Sequence, residues 1–170
     1  LDIATKNANF LIENLENNGK LKRIWRQGHT FGPGYLEDYS FYSNALLTLY
    51  EATFNEKWLD KAIQFGDVII SDFLENMNIL YDTSNDHDNL FLRPNTVEDG
   101  VSPSGASMAT MLFLSLHELT HNHLYQNIAD NLIKNHLSII QTSPLGYCNW
   151  LAGIDFLVSE KPTVTIIGNY

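Results

Sequence analysis

The stretch HELTH, residues 117–121, matches a pattern in which two histidines one helical turn apart bind zinc and the glutamate acts as general base. A catalytic zinc site also needs a third protein ligand and an open position for water. The longer pattern H-E-x-x-H-x-x-G-x-x-H fails, because Leu124 stands at the glycine position and Asn127 at the last histidine position. His123 and His136 remain as third ligands at spacings that match no known zinc site. We therefore favour a plain turn between helices and expect no metal and no cofactor, with a zinc hydrolase as a minor hypothesis.

Two acidic pairs, Glu37-Asp38 and Glu98-Asp99, lie next to the starts of predicted helices. Carboxylates that face each other across a cavity can divide general-acid and general-base work, as in glycoside hydrolysis. Acidic residues also favour the first turn of a helix because they complement its positive end, and Asp99-Gly100 is equally typical of a turn. The sequence leaves both interpretations open. The catalytic candidates are Asp38, Asp99 and Glu37.

Residues around these pairs are suited to a sugar. Aromatic ring faces pack on C–H surfaces, while hydroxyl and N–H groups pair with sugar hydroxyls. An arginine such as Arg93 can orient a carboxylate or phosphate, or form an ion pair with a neighbouring acid. The substrate-binding candidates are Trp25, His29, Tyr35, Tyr39, Arg93, Ser102 and Ser104, whereas Tyr42 and Trp150 are expected in the core.

The segment SPSG, Ser102 to Gly105, predicts a helix start with Ser102 as N-cap and Pro103 at the first helical position. Its backbone N–H groups could bind a substrate oxygen or an anion. Gly105 would let another backbone or a ligand approach closely.

Hydrophobic periodicity predicts six helices that alternate in kind. The first, third and fifth carry one apolar stripe, whereas the second, fourth and sixth are apolar over most of their circumference. This alternation indicates an all-α fold of antiparallel hairpins in two layers, with the striped helices outside. The predicted helices are Asp2–Asn17, Tyr35–Phe54, Lys57–Glu75, Ser102–Leu119, Leu124–Gln141 and Leu145–Val158.

Two links between helices are long, Asn18–Gly34 and Asn76–Val101. Loops of this length are uncommon unless they have a function. Both lead to the start of an inner helix, so we expect them to line a cavity at one end of the assembly. Within the second link, Ile79–Tyr81 and Leu90–Leu92 predict a short β-hairpin near residues 79–92.

Composition excludes several classes of protein. Twenty acidic and ten basic residues give a net charge of −10, which argues against nucleic acid or a membrane surface as a partner. A single cysteine, Cys148, fits a reducing compartment, so we expect a cytoplasmic protein. The chain starts at Leu1 and enters a helical pattern at once, which suggests a piece of a longer protein.

Two long motifs carry a family resemblance: GYLEDYSFYSNALLTLYEATF at residues 34–54 and LRPNTVEDGVSPSGAS at residues 92–107. With the segment between them and PTVTIIG near the end, they resemble the helical region of the spermatogenesis-associated thioredoxin-like family. The resemblance implies a C-terminal (α/α)6 toroid similar to N-acylglucosamine 2-epimerases and six-hairpin glycosidases. It also implies an N-terminal thioredoxin-like domain, which this sequence lacks. That family has no established molecular function.

Taken together, residues 1–170 are expected to form one helical domain, about half of an (α/α)6 toroid. The leading hypothesis is a carbohydrate-active or carbohydrate-binding module with an acidic and aromatic cavity, similar to an epimerase, isomerase or glycosidase. His29 would then be a candidate acid/base, as the resemblance to epimerases implies. The alternative is a non-catalytic scaffold that binds a partner or supports a thioredoxin-like domain, and whether the chain catalyses anything stays open.

A half toroid would leave apolar flanks uncovered. We therefore expect self-association or completion by the missing half. The strand-like TVTII, Thr163–Ile167, points the same way, because a lone strand needs a partner edge.

Overall fold

The computed structural model describes residues 1–87 and 91–160, which form six α-helices and two small antiparallel sheets. The prediction of a mainly helical chain with six helices is confirmed. The strand predicted at Thr163–Ile167 lies outside the described residues. The elements are α1 Asp2–Leu15, β1 Glu16–Asn17, β2 Lys20–Arg26, β3 His29–Pro33, α2 Leu36–Thr53, α3 Glu56–Val68, β4 Leu74–Glu75, β5 Ile79–Leu80, α4 Gly105–Thr120, α5 His123–Thr142 and α6 Cys148–Val158.

Helix α4 lies at the centre of the helical body. Every residue from Ser104 to His117 is buried or half-buried, and Glu118 is the first exposed one. The helix packs against α2, α5 and α6, as its apolar circumference predicts. The largest fully buried side chains of the core include Trp58, Phe65, Phe73, Phe113 and Trp150.

Helices α3 and α5 are of the predicted kind, whereas α2 and α6 are each less covered than predicted. Helix α2 packs on α3 and α4 but keeps an exposed stripe through Phe41, Ala45 and Thr48. Helices α3 and α5 are each buried along one face, as striped helices should be. Helix α6 is less covered than its composition suggests, because Leu151 and Val158 are exposed.

The first long link is a three-stranded antiparallel sheet of order β1-β2-β3, not a loop. Both turns use two residues with positive φ: Asn18 and Gly19 at 51° and 79°, Gln27 and Gly28 at 52° and 82°. Such turns match the twist of paired strands, and Asn-Gly is a strong local signal for them. The pair Asn18-Gly19 directly after the predicted first helix is therefore the turn of a β-hairpin. The predicted first helix is accordingly too long, and its last two residues form β1.

The β-hairpin expected near residues 79–92 is present only in its first half. Strand β5, Ile79–Leu80, pairs with β4, Leu74–Glu75, which precedes it. Of the expected partner strand, Leu90 is outside the described residues and 91–92 form a bend. The preceding helix is also shorter than predicted, because α3 ends at Val68 and one π-turn, Ile69–Phe73, leads into β4.

No helix within residues 1–87 and 91–160 combines the length and the apolar composition needed to cross a bilayer.

Helices α5 and α6 meet at His136, whose ring lies 5.0 Å from that of Trp150. Its Nδ1 donates to the Leu132 carbonyl oxygen at 2.8 Å. Burial lowers the pKa of His136 below its ordinary value of 6.5, because desolvation penalises the charged ring. The unfolded chain thus binds this proton at a higher pH than the folded chain.

We therefore expect stability to fall as the pH drops below about 6.5, since protonation then favours the unfolded state. His136→Gln should make the urea midpoint less sensitive to a change from pH 7.5 to 5.5 than in the wild type. The exposed His29→Gln serves as control and should keep the wild-type sensitivity. Equal sensitivity in all three proteins would show that His136 does not contribute.

Candidate functional site

A cavity of about 620 Å³ opens where α2 and α4 begin. Tyr35 and Glu37 line it from the start of α2, and residues 102–105 from the start of α4. The second long link supplies the rest of the wall, as predicted, whereas the first long link, residues 18–34, contributes none of the lining residues, because it forms a sheet instead. The volume of the cavity is within the usual range for small-molecule sites. We call it the α2–α4 cavity; the link residues that line it are Asp82, Thr83, His87, Leu92, Pro94, Thr96, Glu98 and Gly100.

The start of α2 carries a cluster of charges. Asp38 accepts a hydrogen bond from the Tyr35 backbone N–H at 2.8 Å and therefore caps the helix. Arg23 of β2 binds Asp38 at 2.9 Å and Glu37 at 2.6 Å, and its guanidinium lies 4.4 Å from the Tyr35 ring centroid. Glu37 lines the cavity, whereas Asp38 does not. The two neighbouring carboxylates thus have different surroundings.

The start of α4 is fixed by Asp99. One oxygen accepts from the Ser104 backbone N–H at 2.8 Å and the Ser107 hydroxyl at 2.7 Å, and the other accepts from the Asn149 backbone N–H at 2.9 Å. Asp99 therefore joins the starts of α4 and α6, and it does not line the cavity. Its neighbour Glu98 does.

The N-cap of α4 is Ser104, not Ser102 as predicted. The Ser104 hydroxyl accepts from the Ser107 N–H at 3.1 Å and donates to the Val97 carbonyl oxygen at 3.0 Å. Ser102 instead closes a turn, where its carbonyl oxygen accepts from the Gly100 N–H at 2.9 Å. Both serines still line the cavity. The sixth helix also starts later than predicted, at Cys148, because residues 144–146 form a single 3-10 turn.

The second link is fastened to α2 through Asp82. The Asp82 carbonyl oxygen accepts from the Leu36 N–H at 2.9 Å, which occupies the first backbone donor of the helix. The Asp82 carboxylate accepts from the Thr96 N–H at 3.1 Å and the Thr96 hydroxyl at 2.6 Å. The wall of the cavity is therefore tied together by specific hydrogen bonds.

Two buried polar atoms in this wall have no hydrogen-bond partner among residues 1–87 and 91–160: Thr83 Oγ1 and His87 Nε2. Thr83 is 5% exposed. The His87 ring lies 5.8 Å from that of Tyr35. Because buried polar groups are almost always paired, such atoms beside a cavity need an explanation, and a ligand hydroxyl would supply one.

The starts of α2 and α4 touch at Gly105. A Cβ atom there would lie 3.0 Å from the Glu37 backbone nitrogen and 3.2 Å from Leu36 Cγ. The glycine thus allows the first turns of two helices to meet beside the cavity, which confirms the expectation of a close backbone approach.

Of the other candidates, Tyr35 lines the cavity, whereas Tyr39 and Arg93 have structural contacts. Tyr39 is buried, and its hydroxyl accepts from the Leu21 N–H at 2.8 Å. Arg93 donates to the carbonyl oxygens of Thr83 and Asp72 at 2.6 and 3.2 Å and lies over the Tyr81 ring. Arg93 therefore stabilises the conformation of the second long link.

Trp25 and His29 lie on the β2–β3 hairpin, away from the cavity lining. Trp25 is 40% exposed and contacts Phe10 edge to face at 5.3 Å. Their predicted roles, and those of Asp38, Asp99 and Glu37 in catalysis, stay predictions. Trp150 and Tyr42, both expected in the core, have structural contacts. Trp150 is buried, and the Tyr42 hydroxyl donates to the Ala8 carbonyl oxygen.

The HELTH segment ends α4 and begins the turn to α5, which agrees with the favoured interpretation of a turn between helices. Helix α4 ends at Thr120, and His121 takes a left-handed conformation with φ of 56°. The second histidine is therefore not on the helical face that the zinc pattern requires. Asn122 then caps α5 by accepting from the Leu124 N–H at 3.0 Å. Within the described ranges no group of three or more His, Cys, Asp or Glu is placed to hold a metal ion.

Sequence reasoning missed the link residues of the wall, above all Thr83, Thr96 and Glu98. The sequence marks Glu98 as half of an acidic pair, but it does not show that Glu98 rather than Asp99 lines the cavity. No spacing rule identifies a threonine in an irregular link as a cavity residue. The prediction that this link lines a cavity was the only available signal.

Comparison with known proteins gives distant relatives. The chain is 26% identical over 99% of its length to an uncharacterized protein of Caenorhabditis elegans, of which it covers 24%. It is 33% identical over 69% of its length to spermatogenesis-associated protein 20 of Rattus norvegicus, covering 16% of that protein. The human protein of the same name is 32% identical over 71% of the chain, with 17% covered. No family model matches the chain. The chain thus spans a quarter or less of the curated relatives it matches, and the similarity supports the predicted family resemblance.

Proposed function

We propose that this chain is part of the helical region of a protein of the spermatogenesis-associated protein 20 family, and that its α2–α4 cavity binds a small sugar-like ligand. The observation that carries the proposal is the buried Thr83 hydroxyl, which lies in the cavity wall without a hydrogen-bond partner in the described part of the chain. A polyhydroxylated ligand offers many donors and acceptors that could satisfy it.

The chemistry of the lining supports a polyol. The wall combines the hydroxyl-bearing Ser102, Ser104 and Thr96 with the carboxylates of Glu37 and Glu98. Tyr35 adds an aromatic ring, and Leu92, Pro94 and Pro103 add apolar surface. Sugars present both C–H faces and hydroxyl groups, so a mixed lining of this kind suits them.

We propose ligand binding, rather than a reaction, as the function of the α2–α4 cavity. Asp38 and Asp99, the two carboxylates expected to face each other, are engaged by backbone N–H groups at helix starts. If acid or base chemistry occurs here, the carboxylates that line the cavity, Glu37 and Glu98, are the ones in reach of a ligand.

The proposed toroid rests on the two kinds of helix and on uncovered apolar surface. Phe41 on α2 is 37% exposed, and Leu151 on α6 is 40% exposed, although both helices are apolar over most of their circumference. Further hairpins of a longer protein, or a second copy of the chain, would cover these residues. The relatives are several times longer than the chain, which leaves room for such hairpins.

Thr83→Val provides the direct test of the cavity. Valine keeps the shape but removes a hydroxyl with no partner, so the free energy of unfolding should stay the same or rise by up to about 1 kcal/mol. Binding of a hexose or N-acetylhexosamine, measured by thermal shift and calorimetry, should weaken by about fivefold to tenfold because one hydrogen bond is lost.

Thr96→Val is the matched control, because it removes a hydroxyl from the same wall that already donates to Asp82. It should lower the free energy of unfolding by about 1 kcal/mol. If Thr83→Val proves as destabilising as Thr96→Val and leaves sugar binding unchanged, the Thr83 hydroxyl has a structural partner and the proposal loses its main support.

The alternative is a non-catalytic scaffold that binds a protein partner, such as a thioredoxin-like domain of the full-length protein. It is favoured by a second groove of about 520 Å³ between α1, β2 and α2, with apolar walls from Leu11, Leu15 and Phe41. Exposed Ile24 and Phe31 on the β2–β3 hairpin add to this apolar surface. If the chain is a scaffold, no hexose or N-acetylhexosamine should raise its unfolding temperature.

A further inference from the structure

The lining of the α2–α4 cavity has one sign of charge. Glu37, Asp82 and Glu98 contribute carboxylates, and none of the described lining residues is lysine or arginine. The nearest guanidinium, that of Arg23, is held by Glu37 and Asp38. Arg93 is held by two backbone carbonyl oxygens. No lysine or arginine lies in the described wall to meet an anion, and the imidazole of His87 is the basic group among the described lining residues.

Two helices begin at this cavity, and helix starts often bind anions through their free N–H groups. Here each start already has a carboxylate of its own. Asp38 accepts from the backbone at the start of α2, and Asp99 accepts from the Ser104 N–H at the start of α4. The Asp82 carbonyl oxygen takes the Leu36 N–H as well. The positive ends of both helices are therefore neutralised before a ligand arrives.

From these contacts we infer that the α2–α4 cavity selects uncharged or cationic polyols, such as neutral hexoses and amino sugars, and rejects phosphorylated or carboxylated sugars. This inference rests on the sugar-like ligand proposed above and adds its charge class. A phosphate placed near the lining carboxylates would meet charges of its own sign at short range. We expect the repulsion to weaken binding about tenfold or more relative to the unsubstituted sugar.

The experiment compares derivatives of the same hexose that carry different charges. Glucose, mannose and galactose are each titrated with their 2-amino and 6-phosphate derivatives, using the full 170-residue chain and calorimetry or NMR. At least one neutral hexose or amino sugar should bind, and its 6-phosphate should bind about tenfold more weakly. The difference should shrink at about 0.5 M salt, because screening reduces repulsion between charges.

Glu98→Gln tests whether the lining carboxylates cause the selection. Glu98 lines the cavity, and removing its charge should reduce the ratio of the phosphate and neutral dissociation constants by about threefold. Glu51→Gln, an exposed position in the last turns of α2, removes the same charge elsewhere and should leave the ratio unchanged.

The possible results distinguish the charge selection from the sugar binding on which it rests. A 6-phosphate that binds as tightly as its parent sugar, or more tightly, overturns the charge selection but leaves the sugar site standing. A ratio that does not change in Glu98→Gln overturns the assignment to the lining carboxylates. Failure of every sugar, whatever its charge, overturns both proposals.

Discussion

Replacing Asp99 by asparagine is expected to lower the free energy of unfolding by about 2–4 kcal/mol, the largest effect among the changes considered for this chain. The Asp99 carboxylate accepts three hydrogen bonds, two from backbone N–H groups and one from the Ser107 hydroxyl. An asparagine has one acceptor oxygen, and its amide group would point a donor at another donor. Hydrogen bonds to charged acceptors are also stronger than those to neutral ones.

Thermal and urea unfolding measure this loss, and the midpoint temperature should fall by about 5–12 °C for a chain of this size. Glu98→Gln is the neighbouring control, and it should change stability by no more than about 0.5 kcal/mol, because Glu98 is exposed. An Asp99→Asn protein as stable as the wild type would show that the three bonds contribute little.

This result bears on how the site should be tested. Loss of ligand binding in Asp99→Asn could follow from a displaced α4 start as easily as from a missing catalytic group. Thr83→Val avoids that ambiguity, because the hydroxyl it removes caps no helix and has no partner in the described residues. The two variants together separate support of the cavity from contact with a ligand.

Gly105→Ala should destabilise the fold by about 1–3 kcal/mol, because the first turns of α2 and α4 meet at this residue. The new Cβ would lie 3.0 Å from the Glu37 backbone nitrogen and 3.3 Å from Glu37 Cα. Backbone atoms cannot rotate away as a flexible side chain can, so the two helix starts must move apart. Binding of any ligand in the α2–α4 cavity should weaken as well.

Gly100→Ala is the matched control in the same wall. Its nearest contact for an added Cβ is the Ser102 carbonyl oxygen at 4.0 Å, an ordinary distance. We expect a change within about 0.5 kcal/mol at Gly100. Urea unfolding of both variants measures the difference, and equal stabilities would mean that the contact at Gly105 relaxes without cost.

Much of the helical body could be predicted because its signals are local. Apolar residues on one stripe in α3 and α5, and around most of α4, follow from the 3.6-residue period of the helix. The burial of α4 from Ser104 to His117 agrees with the pattern that assigned it to the interior. The position of the cavity was predictable for the same reason, since both long links lead to the starts of inner helices.

Two local signals in the sequence have more than one structural meaning. Asn18-Gly19 follows the predicted first helix and is typical of a helix end, but the same pair is the preferred turn of a β-hairpin. In SPSG, two serines compete to cap α4, and the sequence pattern does not rank them. Ser104 prevails because Asp99 holds its N–H and Val97 accepts from its hydroxyl, and both contacts come from the preceding link.

The sequence by itself determined where helices form, that α4 lies inside, and that a cavity rimmed by acidic residues opens at the starts of α2 and α4. Only the tertiary structure decided which member of each acidic pair faces that cavity. Asp38 and Asp99 turn to backbone N–H groups, while Glu37 and Glu98 turn to the cavity. The reason is physical: adjacent residues have the same composition signal, but the direction of a side chain at a helix start depends on the donors that neighbouring elements bring to it.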